Sequence, residues 1–326
     1  MRDGHNRQIN YLRLSLTDRC NFRCVYCVPP QGKEWLEHSE ILTYEEMLRL
    51  IKVFNKAGIT KIRLTGGEPL VRKGVVEFVA AIKALGVIED ISMTTNGSLL
   101  PPLANRLKTA GLNRVNISLD TINSANFTQI TTCGRLDDTL SGIKSALKAG
   151  LTPVKLNVVL TEALTESDLT YFTELVYHQP ISVRFIEYMP IGNQPVQRGM
   201  DVAMVKKLLG LAGREMLIPA SVIQGDGPAK YYRFPKYQGS FGFITPISEH
   251  FCEACNRLRL TADGHLRPCL LSNTEVDIKT PLRNGASDND LTELFFTAIR
   301  EKPEGHSLCR ASGYPAFERS MSQIGG

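Results

Sequence analysis

From residue 9 to about 190, short β-branched runs alternate with longer amphipathic stretches roughly every thirty residues, and this alternation constrains the chain more than any other feature. Repeated βα units of this kind build a parallel sheet whose strands are joined by helices on its outer face. The candidate strands are Ile9 to Leu16, Lys61 to Leu64, Asp90 to Thr94, Arg114 to Leu119, Val154 to Leu160 and Ser182 to Glu187. The first helix is marked by a capping box, Thr43 with Glu46 three residues on, by the apolar face Met47, Leu50, Ile51 and Phe54, and by Gly58 as its exit. Six units are two short of a closed barrel. The fold class expected is therefore α/β: an open, partial six-unit βα barrel whose side is closed by the rest of the chain. A Gly/Pro/Tyr-rich stretch near Ile223 to Tyr237 marks the boundary, which divides the chain into 5–225 and a loop-rich domain over 226–326.

The 326 residues suffice for these two parts, and 43% apolar with 22% charged residues is the balance of a packed globule. A net charge of +5 is too small to imply nucleic-acid binding. No run approaches a membrane span, and MRDGHNRQIN lacks the apolar stretch of a signal peptide, so a cytoplasmic protein is expected. In a reducing compartment the eight cysteines read as ligands, catalytic groups or packing residues rather than disulfides.

Six of them fall into two sets. Cys20, Cys24 and Cys27 form C-x3-C-x2-C directly after the first strand, where the ends of parallel strands gather active-site groups. Three thiolates are one short of a closed structural site, so an iron without a protein ligand is free to take a substrate or cofactor. A zinc ion with a distant fourth ligand is the alternative. Cys252, Cys255 and Cys269 form C-x2-C-x13-C, again three; His250 and His265 stand near enough to complete a Cys3His zinc site. Cys133 and Cys309 stand alone and read as non-ligands.

The first Cys set, with Tyr26 before its last member, resembles the signature of the radical S-adenosylmethionine superfamily. Four loops at strand ends fit it: Thr65-Gly66-Gly67-Glu68-Pro69, Thr94-Thr95-Asn96-Gly97, Ser118-Leu119-Asp120 and Glu187-Tyr188-Met189. In the GGEP loop, glycines allow close approach of backbone to a ligand, and Glu68 can support either the methionine ammonium or the loop. Followed by FCEACNRLRLTADGHLRPCL and a Gly325-Gly326 end, the whole chain is similar to the GTP cyclases of molybdenum cofactor biosynthesis. That resemblance implies two [4Fe-4S] clusters and S-adenosylmethionine as cofactors. It implies a reaction in which a 5′-deoxyadenosyl radical takes hydrogen from C3′ of GTP and the C3′ radical closes on C8, giving 3′,8-cyclo-7,8-dihydro-GTP after a further electron and a proton. It places S-adenosylmethionine on Tyr26, Gly67, Ser118 and Met189, and GTP on Arg13, Arg63, Thr94, Lys155, Arg257 and Arg259, with Lys61 and Arg184 fitting the same cationic wall. Period-two spacing lets Lys61 with Arg63, and Arg257 with Arg259, point at one anion.

By the same resemblance the Gly325-Gly326 tail reaches the active site, where Arg319 adds a cation near GTP. The expected partners are GTP, an electron donor and a downstream pyranopterin-forming enzyme, with a homodimer as candidate assembly and neither nucleic acid nor membrane. Two rivals remain open: a radical peptide-modifying enzyme, which usually carries more appended cysteines, and a zinc-stabilised binding module.

Overall fold

A computed structural model describes residues 1–28, 32, 34–191, 199–211, 227–306 and 317–325. The six expected strands form as β1 (Tyr11–Ser15), β2 (Lys61–Thr65), β3 (Asp90–Thr95), β4 (Arg114–Ser118), β5 (Val154–Val159) and β6 (Ile181–Ile186). Helices α1 (Tyr44–Lys56), α2 (Val75–Ala84), α3 (Ala104–Ala110), α4 (Ser124–Thr131), α5 (Leu136–Lys148) and α6 (Glu166–His178) run between them. The capping box at α1 is present: the Thr43 hydroxyl accepts from the Glu46 amide at 3.1 Å, and Glu46 Oε2 accepts from the Thr43 amide at 2.7 Å. Met47, Leu50, Ile51 and Phe54 are buried, as the period of the face requires.

The rest of the chain contributes more regular structure than its loop-rich composition suggests. It supplies β7 (Lys230–Tyr232), β8 (Ser240–Ile244), β9 (Arg257–Leu260), β10 (His265–Arg267) and β11 (Val276–Asp277), and helices α7 (Val202–Leu208), α8 (Lys279–Arg283), α9 (Asp288–Arg300) and α10 (Met321–Ile324). All eleven strands belong to one sheet in the order β11-β10-β9-β1-β2-β3-β4-β5-β6-β8-β7. The pairs from β9 through to β8 are parallel, and the marginal pairs are antiparallel. The partial barrel is thus extended at each margin by one parallel strand from beyond residue 226: β9 beside β1, and β8 beside β6. The boundary expected at 225/226 lies outside the described residues.

One extended core binds helices to sheet. Leu12, Leu14, Ile62, Leu64, Ile91, Met93, Val115 and Ile117 alternate on the helix-facing side of β1–β4 and are fully enclosed. The opposite, inward face carries polar residues at the intervening positions, Arg13, Arg63, Ser92 and Asn116 among them. Among the described residues no helix is long and apolar enough to cross a membrane.

Candidate active site

Sheet order alone brings the two Cys sets to one space. The first follows the C-terminal end of β1; of the second, Cys252 and Cys255 immediately precede β9, the parallel neighbour of β1 whose start pairs with Tyr11, and Cys269 follows β10, which runs antiparallel back along β9. The sets therefore face each other along the barrel interior, separated by the five residues of β1, about 13 Å of extended chain. A single cavity of about 310 Å³ is lined by all six cysteines. Its wall also includes Arg13, Arg63, Arg184, Arg257, Arg259 and Lys302.

The loop of the first set is braced on three sides. Arg23 and Val25 amides donate to the carbonyls of Thr131 and Ile130 at the end of α4 (3.0 and 2.9 Å). The Thr132 hydroxyl donates to the Arg23 carbonyl at 2.9 Å, and the exposed Cys133 thiol to that of Asn21 at 3.3 Å, so Cys133 supports the loop from outside. From below, Gly66 and Gly67 pack against it. A Cβ on Gly67 would stand 2.3 Å from the Arg19 carbonyl oxygen, and one on Gly66 2.6 Å from that of Thr17. Glycine is demanded here by the approach of the cluster loop itself, where the sequence suggests approach of a ligand. Glu68 serves the loops: its Oε1 accepts from Leu70 N (3.0 Å) and Thr95 Oγ1 (2.7 Å), and its Oε2 from Asn96 N (2.7 Å). Burial outweighs these bonds and pushes its carboxyl up to about 7.

Burial pushes Cys20 up to about 11, and burial with neighbouring Cys27 and Asp120 holds Cys24 well above the ordinary thiol range. Such enclosed thiols need a positive partner to ionise, which a soft metal centre provides. Tyr26 donates its hydroxyl to Asp120 Oδ2 at 2.7 Å, while Asp120 Oδ1 accepts from Val159 N at 2.8 Å. Ser118 and Met189 line the same space, and Thr94 Oγ1 is enclosed there with no hydrogen-bond partner. An unpaired buried hydroxyl in a cavity wall is a site awaiting a polar group.

The second set is differently charged. Arg257 Nη2 lies 3.6 Å from Cys255 Sγ and its guanidinium 5.2 Å from the Phe251 ring centroid. Burial would raise the Cys255 thiol, but Arg257 and Lys302 outweigh it and hold it near 6. Lys302, which sequence reasoning missed, donates to the carbonyls of Arg257 (2.9 Å), two residues after Cys255, and of Pro268 (2.7 Å), the residue before Cys269. Arg7, also missed, donates to the Cys252 carbonyl at 3.0 Å and to those of Pro303 and Glu304, tying the first residues to this loop. Neither could be found from sequence, because each acts through backbone carbonyls that only the fold brings near.

Of the two histidines offered as zinc ligands, His265 is held by Asp263, Nδ1 to Oδ2 at 3.3 Å. His250 instead stands 3.1 Å from His306, and with Cys252 they form the only group of three donors among the described residues whose ligand atoms all lie within 4.8 Å. Cys20, Cys24 and Cys27, three half-buried thiols on one loop lining the cavity, are the donor chemistry that a soft iron–sulfur centre takes.

The cationic wall is built in register. Arg13 of β1 pairs with Arg63 of β2 on one side and Arg259 of β9 on the other, so three guanidiniums stand abreast on the inward face. Arg63 Nε donates to Ser92 Oγ at 3.3 Å, and Arg184 donates to Asn157 Oδ1. Lys155 is buried and is not among the lining residues; its Nζ lies 5.5 Å from the Tyr231 ring centroid, and burial, with Arg184, Arg114 and Arg63, pushes it down to about 6. Lys61, at the start of β2, lies outside the lining.

Arg319 is not among the lining residues either; it is ion-paired with Asp263 and Glu275. Gly325 is not a lining residue, but its carbonyl accepts from Nη1 of Arg259, which is, at 3.1 Å. Gly326 and Cys309 lie outside the described residues.

With this geometry in hand, comparison with known proteins is specific. Residues 14–176 match the model of the Radical SAM superfamily, and residues 181–308 that of Molybdenum Cofactor Synthesis C. The chain is 50% identical to the GTP 3′,8-cyclase of Desulforamulus reducens and 49% to that of Heliobacterium modesticaldum, in each case over the full length of both proteins. The fold resembles that of SuiB from Streptococcus suis, solved bound to S-adenosylmethionine, with a TM-score of 0.63 at 14% identity over 91% of this chain and 69% of that one. The chain belongs to the radical S-adenosylmethionine superfamily, whose members work with a [4Fe-4S] cluster and S-adenosylmethionine, and within it to the GTP 3′,8-cyclase family.

Proposed function

We propose that this enzyme converts GTP to 3′,8-cyclo-7,8-dihydro-GTP, the first step of molybdenum cofactor biosynthesis. The observation that carries the reading is the single cavity onto which two incomplete Cys sets open from opposite ends, with a row of arginines between them. A nucleoside triphosphate carries about four negative charges and matches such a row through charge-assisted, often bidentate contacts.

Cys20, Cys24 and Cys27 would hold the first cluster, with Tyr26, Gly67, Ser118 and Met189 around S-adenosylmethionine. When bound, that cluster would supply the electron for reductive cleavage of S-adenosylmethionine to methionine and 5′-deoxyadenosyl radical; hydrogen removal at C3′ and closure on C8 then require one further electron and a proton to give the dihydro product. Cys252, Cys255 and Cys269 would hold a second [4Fe-4S] cluster, with its open side toward the purine. Arg257 and Lys302 beside Cys255 favour its thiolate.

The chain's own residues position and enclose. Arg13, Arg63, Arg257 and Arg259, with Thr94 and Lys155, hold GTP. Glu68 locks two strand-end loops together, so that the groups they present keep one geometry. Gly325 stands beside Arg259 at the ends of β1 and β2, and the Gly-Gly end of the chain would help to close the cavity. The apolar cluster of Ile191, Ile247, Leu271, Phe317 and Ile324, with Met189 and Met321 packed on it, keeps water from that side. An electron donor, a downstream enzyme forming the pyranopterin, and a second copy of the chain complete the proposed partners.

Replacing Cys24 by Ser tests the division of labour between the Cys sets. The variant should keep iron at the second set and lose reductive cleavage of S-adenosylmethionine. Release of 5′-deoxyadenosine at the wild-type rate would remove the first set from that role.

A further inference from the structure

Residues 317–325 pack against the side of the cavity. Met321 lines the cavity, and Phe317 and Ile324 are buried against Ile247 and Leu271. At the far end Gly325 has φ 77°, and a Cβ there would stand 2.8 Å from Thr65 Oγ1 and 2.9 Å from Ser15 Cβ. The segment is therefore seated against the ends of β1 and β2 with no space for a side chain. Its one helix, α10, is four residues long, far below what sustains itself in water. Its placement must come from tertiary contacts.

The strongest of these lies at its start. Arg319 Nη1 is 2.8 Å from Asp263 Oδ2, while Nε and Nη2 are each 2.8 Å from a different oxygen of Glu275. The side chains of Arg319, Asp263 and Glu275 are 18%, 12% and 17% exposed, so these charges have little water to fall back on. Asp263 sits in the turn between β9 and β10, and Glu275 just before β11. The receptor is thus built on the same strand unit that carries Arg257 and Arg259. A fork bound to two carboxylates is fixed in rotation as well as in position, which a point charge cannot reproduce.

We propose that Arg319 is a positioning residue: clamped between Asp263 and Glu275, it sets the register of 317–325 so that the Gly325 carbonyl meets Arg259 at the cavity wall. It acts through the segment and does not touch substrate. The consequence for turnover rests on the GTP reading above; the docking itself does not.

The test compares the anaerobically reconstituted wild-type enzyme with Arg319→Ala, Arg319→Lys and Asp263→Asn. Iron content and far-UV circular dichroism check folding, and amide hydrogen exchange reports on peptides covering 317–325. Cyclised product formed per 5′-deoxyadenosine is the second readout. Arg319→Ala should keep iron at the wild-type level, speed exchange in 317–325 by tenfold or more, and lower the product ratio at least tenfold. Arg319→Lys should recover part of both. Asp263→Asn, which leaves the Glu275 contacts in place, should fall between wild type and Arg319→Ala; it keeps the test open if the alanine variant fails to fold. Unchanged exchange in folded Arg319→Ala or Asp263→Asn would overturn the proposal. So would faster exchange with an unchanged product ratio. If the wild type makes no cyclised product, the GTP reading fails, and exchange still decides the clamp.

Discussion

Arg13 of β1 and Arg259 of β9 are register partners on adjacent parallel strands, and both face the barrel interior. Placing like charges side by side in an enclosed wall is costly. Burial, together with Arg259 and Arg63, holds the Arg13 guanidinium well below the ordinary arginine range, and burial with Arg257 pushes Arg259 down to about 9. An anion resolves this repulsion, and the gain it brings is correspondingly large.

Replacing Arg257 and Arg259 together by Ala should weaken GTP binding by a hundredfold or more, since charge-assisted contacts are each worth about 1.5 to 3 kcal/mol. Iron content should stay near wild type, because neither side chain is a ligand. Equilibrium dialysis with the reconstituted enzyme decides this; undiminished affinity would move the phosphates elsewhere.

Lys155 gives the site a pH signature. Its pKa is lowered to about 6 in the folded chain, chiefly by burial and then by Arg184, Arg114 and Arg63, so it is mostly neutral at pH 7 without ligand. A polyanion beside it raises that value, so GTP binding should take up protons above pH 6 and weaken as pH rises. Below pH 6 Lys155 is protonated in both states and the dependence fades. Calorimetry at pH 7.5 in two buffers of different ionisation enthalpy measures the uptake. Lys155→Met should remove most of it, and equal uptake in that variant would assign the proton to another group.

Gly67→Ala should disable the first Cys set. The new methyl would meet the Arg19 carbonyl oxygen at 2.3 Å, and backbone cannot yield as a flexible side chain would. Iron should fall from about eight to about four per chain, the complement of one cubane. A variant retaining the full complement would show that the loop tolerates the shift.

What could be read from the chain, and what could not, divides along physical lines. Local period and capping chemistry placed β1 to β6 and α1 to within a residue or two, because Thr43 with Glu46 and the alternation in Arg13 to Arg63 express short-range rules. Cys spacing identified both sets without the fold. The period-two reading of Arg257 and Arg259 anticipates β9 but not its pairing with β1, and β8 is not anticipated at all, since SFGFI is short and lies among Gly and Pro; its strand state comes from pairing with β6. Lys302 and Arg7 were invisible because carbonyl acceptors carry no sequence signal. The acidic partners of Arg319 lie forty or more residues from it, and only the packing of 317–325 joins them.

The account turns on one reaction, and mass analysis of its products tests it most directly. Anaerobic enzyme, reconstituted with iron and sulfide and given GTP, S-adenosylmethionine and a strong reductant, should yield 5′-deoxyadenosine and an equal amount of a GTP isomer, 3′,8-cyclo-7,8-dihydro-GTP. With GTP deuterated at C3′, the label should appear in 5′-deoxyadenosine. Unlabelled 5′-deoxyadenosine, or its formation with GTP left unchanged, would contradict the account.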